Sequence, residues 1–390
     1  MQFTLLVVNF FLITIISREY GAETYGEYAS SKSLSVLIGT ATVLSLALVV
    51  TKFLAKNKEN SKLMFSNSYY LIIRNFFVAL IILFPLTFLF QRDFSMTALF
   101  LLGFVFNEMI HVALAYFQSR GDFVTSSKQI FVRTLLYGIG AWIIVYQGFS
   151  IIVLIAFQVF MLFSFFIFAH LSIPKSDKLF ETRPTKSMTE NLQNSGKKMV
   201  LTTFSSALIS ELDIVLLGLF YFGPALGILA WSRRILEIIF QLIAASLDIL
   251  FPELSRLNDK NEIQNIRRKL RKVCLLIFII PIIFYFSKDI VGNIIVSLLG
   301  NTFSEVALQT SMILFCLPLM VWSRINIIFS RALGFEINIT KIIIAGSLLS
   351  YFIYFLFHNF NVTNPAILSI IVSQIIISFL TSYSFRSSYV

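Results

Sequence analysis

The sequence predicts an all-α, polytopic membrane protein of about twelve transmembrane helices in two pseudo-symmetric six-helix bundles. Hydrophobic residues fill 57% of the 390 positions and charged residues only 13%, with a mean hydropathy of +0.84. A soluble domain is nearer half apolar and a quarter charged. The apolar residues also gather into runs of about 20, the length that crosses a hydrocarbon core as a helix. A third observation, a glycine-containing stretch echoed in the other half of the chain, supplies the symmetry.

The runs lie near 2–17, 28–50, 66–90, 94–118, 128–147 and 149–171, then 198–220, 225–250, 273–299, 306–330, 339–357 and 364–383. The first starts at the initiator Met with no basic leader and no small-residue cleavage site, so it is expected to stay as an uncleaved helix. Between the first two sits SREYGAETYGEYASS, Ser17–Ser31, a polar stretch with two glycines that reads as a tight outer turn. Its carboxylates Glu19, Glu23 and Glu27 are expected to serve that turn rather than a substrate. The longest polar stretch, 172–197, follows the sixth run and contains prolines and charges. It reads as a cytoplasmic linker between an N-terminal lobe, 1–171, and a C-terminal lobe, 198–390.

Lysine and arginine mark cytoplasmic loops. Alternate connections carry Lys52, Lys56, Lys58 and Lys62; Arg120 and Lys128; Lys175, Lys178, Arg183, Lys186, Lys197 and Lys198. The series continues with Arg256, Lys260, Arg267, Arg268, Lys269, Arg271 and Lys272, then Arg331 and Lys341, and ends with Arg386. The opposite connections offer only Arg18 and Arg92. Both termini are therefore expected in the cytoplasm. The net charge of +11 is then a topology signal with an added attraction to membrane lipid, and no nucleic-acid partner is expected. Cys274 and Cys316 lie inside apolar runs. They offer neither a disulfide framework nor metal spacing, so zinc and Cys/His catalysis are set aside and no metal or cofactor is expected.

After the seventh run comes LFYFGPALGILAWSRRILEII, where Gly223 and Gly227 echo Gly21 and Gly26 with a spacing shorter by one residue. Some 25 residues beyond each second glycine stand TKFLAKN and FPELSRLND. The halves thus read as parallel repeats, related by a pseudo-twofold axis along the membrane normal, a recurrent plan in transporters.

SREYGAETYGEYASSKSL resembles the R-x-LG-x-x-x-YG-x-Y signature that closes the first helix of bacterial polysaccharide flippases, members of the multidrug/oligosaccharidyl-lipid/polysaccharide exporter superfamily. ELDIVLLGLFYFGPALGILAWSRRILEIIFQLIAASLDILFPELSRL resembles that family's seventh and eighth helices, and YFQSRGDFVTSSKQI fits between its fourth and fifth. Leu229 stands where a Tyr is usual and Trp231 near a usual small residue. The resemblance implies a MATE-like fold and a flippase, not an enzyme. Its implied substrate is an undecaprenyl-pyrophosphate-linked oligosaccharide repeat unit, moved across the bacterial inner membrane for O-antigen, lipopolysaccharide or capsule assembly. Polysaccharide polymerase machinery is then a partner.

That task requires a hydrated cationic cavity. Charges inside spans are unfavourable and mark functional candidates: Arg74, Glu108, His111, Arg133, Glu211, Asp213, Arg233, Arg234, Glu237, Lys288, Asp289 and Arg324. Arg74, Arg233, Arg234 and Arg324 are the expected phosphate ligands, since a guanidinium donates two hydrogen bonds at once. Arg133, near the end of its helix, is expected to snorkel to the interface. Either Arg233 or Arg234 can pair with Glu237, at i+4 or i+3. Glu108, His111, Glu211, Asp213 and Glu237 are the candidates for coupling to Na+ or a proton. Two other functions compete: an ion-coupled multidrug/cation antiporter, whose cavity should be acidic and aromatic, and a membrane polysaccharide polymerase, which needs larger outer loops. Cysteine placed at Glu23 or Asn361 should react with an impermeant thiol reagent added outside intact cells, and cysteine at Lys260 should not.

Overall fold

The computed structural model describes residues 2–43, 45–56, 61–174, 184–218, 223–248, 260–332, 336–359 and 364–389. Lys58, Lys175, Lys178, Arg183, Arg256, Asn361 and the FPELSRLND echo lie outside the described residues. The elements are helices α1 (Gln2–Thr42), α2 (Leu46–Lys56), α3 (Ser61–Leu89), α4 (Phe94–Ser119), α5 (Phe123–Tyr146), α6 (Ile151–Leu171), α7 (Lys186–Leu217) and α8 (Pro224–Asp248). They continue with α9 (Lys260–Ile277), α10 (Ile279–Phe286), α11 (Lys288–Leu299), α12 (Val306–Ile313), α13 (Leu317–Ala332), α14 (Glu336–Asn359) and α15 (Pro365–Tyr389). Among the described residues, seven helices are each long and apolar enough to cross a membrane, or nine if two bent pairs each count as one span. The expected twelve are reached once α1 is counted on both sides of its kink and the more polar α7 and α8 are added.

Two expectations are corrected. Residues 18–27 do not form a loop. Gly21, at φ 78 and ψ 174, absorbs the interruption by itself, and the chain is helical on either side of it. A side chain rarely adopts that φ, which is why the position suits glycine. Nor is the ninth run one straight span. It breaks by 70° between the helix Gln264–Phe286 and α11. Lys288 and Asp289, read as charges within a membrane helix, open α11 at that break, with Lys288 Nζ 5.0 Å from the centre of the Tyr285 ring.

By contacts the chain divides into two compact units. The first comprises Met1–Tyr20 with Glu27–Leu219, the second Gly21–Gly26 with Phe220–Val390. In the first unit α4 is central, packed on α2, α3, α5 and α6. Leu46, Val50 and Leu54 of α2, Phe65 and Leu71 of α3, Val112 of α4 and Leu192 of α7 form its buried apolar cluster. Helix α7 thus groups with the first unit, although the sequence pattern expects the second lobe to start at 198. Polar bonds follow it from end to end. Asn67 Oδ1 accepts from the Thr185 amide at 3.0 Å and the Thr189 hydroxyl at 2.6 Å. Arg74 donates to Gln193 at 3.4 Å. The Ser45 and Thr203 hydroxyls meet at 2.5 Å, and Ser33 donates to Glu211 at 2.6 Å. At the far end Arg92 donates to the Gly218 carbonyl. Such bonds hold polar helices together where no water can serve them.

In the second unit α8 packs on α12 and α13, and α14 pairs with α15. Ser382 accepts from Trp322 at 2.7 Å and from Asn326 at 3.1 Å, while Arg267 donates to Asn326 at 2.9 Å. The echoed glycines meet here. Gly223, like Gly21, has positive φ, and a Cβ on Gly227 would collide with the Ala22 carbonyl, as one on Gly26 would with the Gly227 amide. Tyr25 and Trp231 rings lie 6.1 Å apart beside this crossing. Gly227→Ala should lower stability by about 1–3 kcal/mol, the usual range for overpacking. A thermal unfolding series in detergent, read by loss of the monodisperse peak, checks it; an unchanged midpoint contradicts the close crossing.

Candidate functional site

Polar residues on α1, α4, α5 and α6 turn toward one cavity of about 260 Å³ in the first unit. Lys32 and Arg133 line it with Asn9, Asn107, Tyr137 and Gln158. The Arg133 guanidinium donates to Asn107 Oδ1 at 2.9 Å, and the Tyr137 hydroxyl is 3.3 Å from Gln158 Oε1. Arg133 is half-buried and turns inward to Asn107 instead of snorkelling as expected. The reason is the amide: one turn-spaced polar residue on the adjacent helix holds the cation inside. Two cations on different helices, backed by neutral amides and a phenol, form a site that favours an anion and can also hydrogen-bond a hydroxyl-rich group.

Lys32 is absent from the sequence-derived candidates, yet it is the one charged residue in the run 28–50. That isolation is the signal that could have found it. The neighbouring Ser30, Ser31, Ser33 and Ser35 are all buried. Ser35 donates to the Thr97 carbonyl at 2.7 Å; small hydroxyls let α1 approach α4 closely.

A second cavity of about 420 Å³ lies farther along α4. Glu108, His111 and Gln118 line it with Thr40, Ser45, Thr51 and Thr203, and Phe104 lines both cavities. Glu108 and His111 are therefore brought together, one turn apart, on the wall of a single cavity. Glu211 accepts from Ser33, and Asp213 is half-buried one turn-fraction beyond it.

The four arginines expected to bind phosphate do not converge on either cavity. Arg74 reaches Asn75 at 3.3 Å and Gln193 at 3.4 Å, within the first unit. Arg233 is 1% exposed in the core of the second unit, with Nη1 3.9 Å from the Met320 sulfur. Arg234, not Arg233, pairs with Glu237, at 3.1 Å, which resolves the alternative that spacing left open. Arg324 is half-buried on α13. Among the described residues no group of three or more His, Cys, Asp or Glu could hold a metal ion.

With seven or more described helices long and apolar enough to cross a membrane, and with cations turned into an internal cavity, the chain is a multi-pass membrane protein. It belongs to the polysaccharide biosynthesis protein family, whose model matches residues 76–308, well over half of the chain. Its fold is shared with solved structures of low sequence identity. The inward-facing conformation of a multidrug resistance MATE family transporter of the MOP superfamily is 12% identical, with 97% of this chain and 94% of that chain covered and a TM-score of 0.70. The lipid II flippase MurJ, in an inward closed conformation, is 17% identical, with 99% and 86% covered and a TM-score of 0.71. The Vibrio cholerae MATE transporter VcmN in the bent form is 14% identical, with 99% and 96% covered and a TM-score of 0.58. No curated protein matches the sequence significantly. The MATE-like fold expected from the sequence is thus the fold observed.

The Arg234–Glu237 pair is 23% and 17% exposed, so removing one partner leaves a mostly buried charge. Arg234→Ala should cost up to about 3 kcal/mol, the lower end for breaking a buried pair. Adding Glu237→Gln should restore most of that loss in thermal unfolding. A double variant no more stable than Arg234→Ala contradicts the pairing.

Proposed function

We propose that the protein is a flippase that carries an undecaprenyl-pyrophosphate-linked oligosaccharide repeat unit across the bacterial inner membrane by alternating access, for O-antigen or capsular polysaccharide assembly. The observation that carries this reading is the cavity of Lys32 and Arg133 in a member of the polysaccharide biosynthesis protein family. A phosphate inside a bilayer needs fixed positive charge, and in a low-dielectric cavity each contact is worth more than on a surface. The MurJ comparison supports it by fold, since that structure is described as a lipid II flippase. A multidrug resistance MATE family transporter also shares the fold, but two cations on the cavity wall would repel a cationic drug.

Arg74, Arg233, Arg234 and Arg324 keep a place in the proposal as further phosphate ligands, encountered at other stages of the cycle than the one described. Glu211, bonded to Ser33 on another helix, is the carboxylate best suited to exchange Na+ or a proton, because losing that bond frees α7 from α1. The lipid-linked substrate, membrane lipid and the polymerase that consumes the exported unit are the partners this role implies. Both termini then lie in the cytoplasm, in keeping with the lysine and arginine distribution.

Arg133→Gln and Lys32→Gln should each abolish polymer export while protein abundance in the membrane stays near normal. Arg133→Lys should restore it only in part, since it keeps the charge and loses the planar fork. Arg74→Ala and Arg324→Ala should also lose export. Export at the wild-type rate in both Arg133→Gln and Lys32→Gln would sink the cationic-cavity reading.

A further inference from the structure

The second cavity of the first unit has no role in phosphate binding as described. Its volume of about 420 Å³ falls within the range of roughly 300–1,000 Å³ typical of small-molecule sites. Its wall mixes hydroxyls, an amide, an imidazole and one carboxylate. Thr51 donates to the Ala47 carbonyl and Thr203 to the Met199 carbonyl. The Thr51 oxygen therefore keeps lone pairs for an incoming O–H, and that of Thr203, also 2.5 Å from the Ser45 hydroxyl, keeps one. Glu108 and His111 are half-buried, and among the described residues no hydrogen bond or ion pair engages either side chain. An ionisable pair held inside a membrane helix without a protein partner is unfavourable unless a ligand or water engages it.

The two cavities are neighbours. Phe104 lines both, and its ring is seated on Gly39 so closely that a Cβ there would overlap it. The consecutive residues Asn107 and Glu108 belong to the first and second cavity respectively. In a pyrophosphate-linked sugar the terminal phosphate and the first sugar ring share an oxygen, so their subsites must adjoin.

We propose that the second cavity is a sugar subsite, which receives the sugar bonded directly to the pyrophosphate. The inference rests on the pyrophosphate reading of the Lys32–Arg133 cavity. The ring lies against Phe104 and presents its hydroxyls to Glu108 and His111. A carboxylate accepts from two neighbouring hydroxyls at once, while imidazole and the Gln118 amide each offer a donor and an acceptor. A bare cation is poorly served, because a hard ion gathers several oxygens at about 2.3–2.6 Å and this wall offers a single carboxylate.

The test uses the purified full chain in lipid nanodiscs and two probes: a short-chain polyprenyl pyrophosphate, and the same molecule carrying N-acetylglucosamine. The sugar should tighten binding by about tenfold, the increment expected of one or two added hydrogen bonds. Glu108→Gln and His111→Ala should each remove most of that increment and leave the affinity for the sugarless probe unchanged, which also shows that the variants are folded. Arg133→Gln should weaken both probes. If the sugar increment survives Glu108→Gln and His111→Ala while Arg133→Gln weakens both probes, the sugar subsite is overturned and the phosphate reading stands. If Arg133→Gln changes neither probe, the phosphate reading fails and the inference with it. Loss of both probes' binding in Glu108→Gln overturns the sugar assignment, as does an intact increment combined with a lost Na+ or pH dependence, which would give the site to an ion.

Discussion

Water is absent from the middle of a bilayer, so a polar group placed there must find its partner inside the protein or face a hydrated cavity. Much of this structure follows from that demand. Thr14, Ser35 and Thr42 of α1 and Thr87 of α3 send their hydroxyls to backbone carbonyls, Ser35 to both Ser31 and Thr97. Asn67 and Asn75 tie α3 to its neighbours; Asn75 donates to the Thr42 carbonyl at 2.8 Å, just where α1 ends. Lys32, Arg133, Glu108 and His111 line the cavities, and Arg133 also donates to Asn107.

The same demand explains how the cavities keep their different characters. On α4 the step from Asn107 to Glu108 is about 100° around the helix, enough to turn one side chain to Arg133 and the next to the neighbouring wall. The aromatic ring of Phe104 marks the boundary between them, and α6 closes the first cavity with Gln158 and Val159. The other polar residues lining the first cavity, Asn9, Asn107, Thr134, Tyr137 and Gln158, are neutral.

Much of the architecture was legible in the sequence because hydropathy and the lysine–arginine distribution report on the bilayer directly. The repeated glycines were legible too. Spacing marked them as an echoed set of turn positions, and could not show that Gly26 and Gly227 meet. The site was less legible. Charges were weighed by their depth in a run, which favoured Arg74 and Arg324 and demoted Arg133. Depth says nothing about azimuth, and the bond to Asn107 is a tertiary fact. Lys32 escaped notice amid serines that read as ordinary helix. Lys288 and Asp289 stand at a 70° break that leaves no mark in composition.

Helix α7 carries Glu190, Lys197, Lys198, Glu211 and Asp213 and, among the described residues, is not one of the helices apolar enough to cross a membrane alone. Its bonds run to α1, α3 and the residues just before α2 and α4, all of which leave the ribosome earlier. During biogenesis the nascent helix therefore meets a prepared receptor. With the N-to-C order of folding during synthesis, those partners would be in place to assist its insertion. A lesion in α3 at Asn67 would then be felt as a topological error in a helix more than a hundred residues downstream.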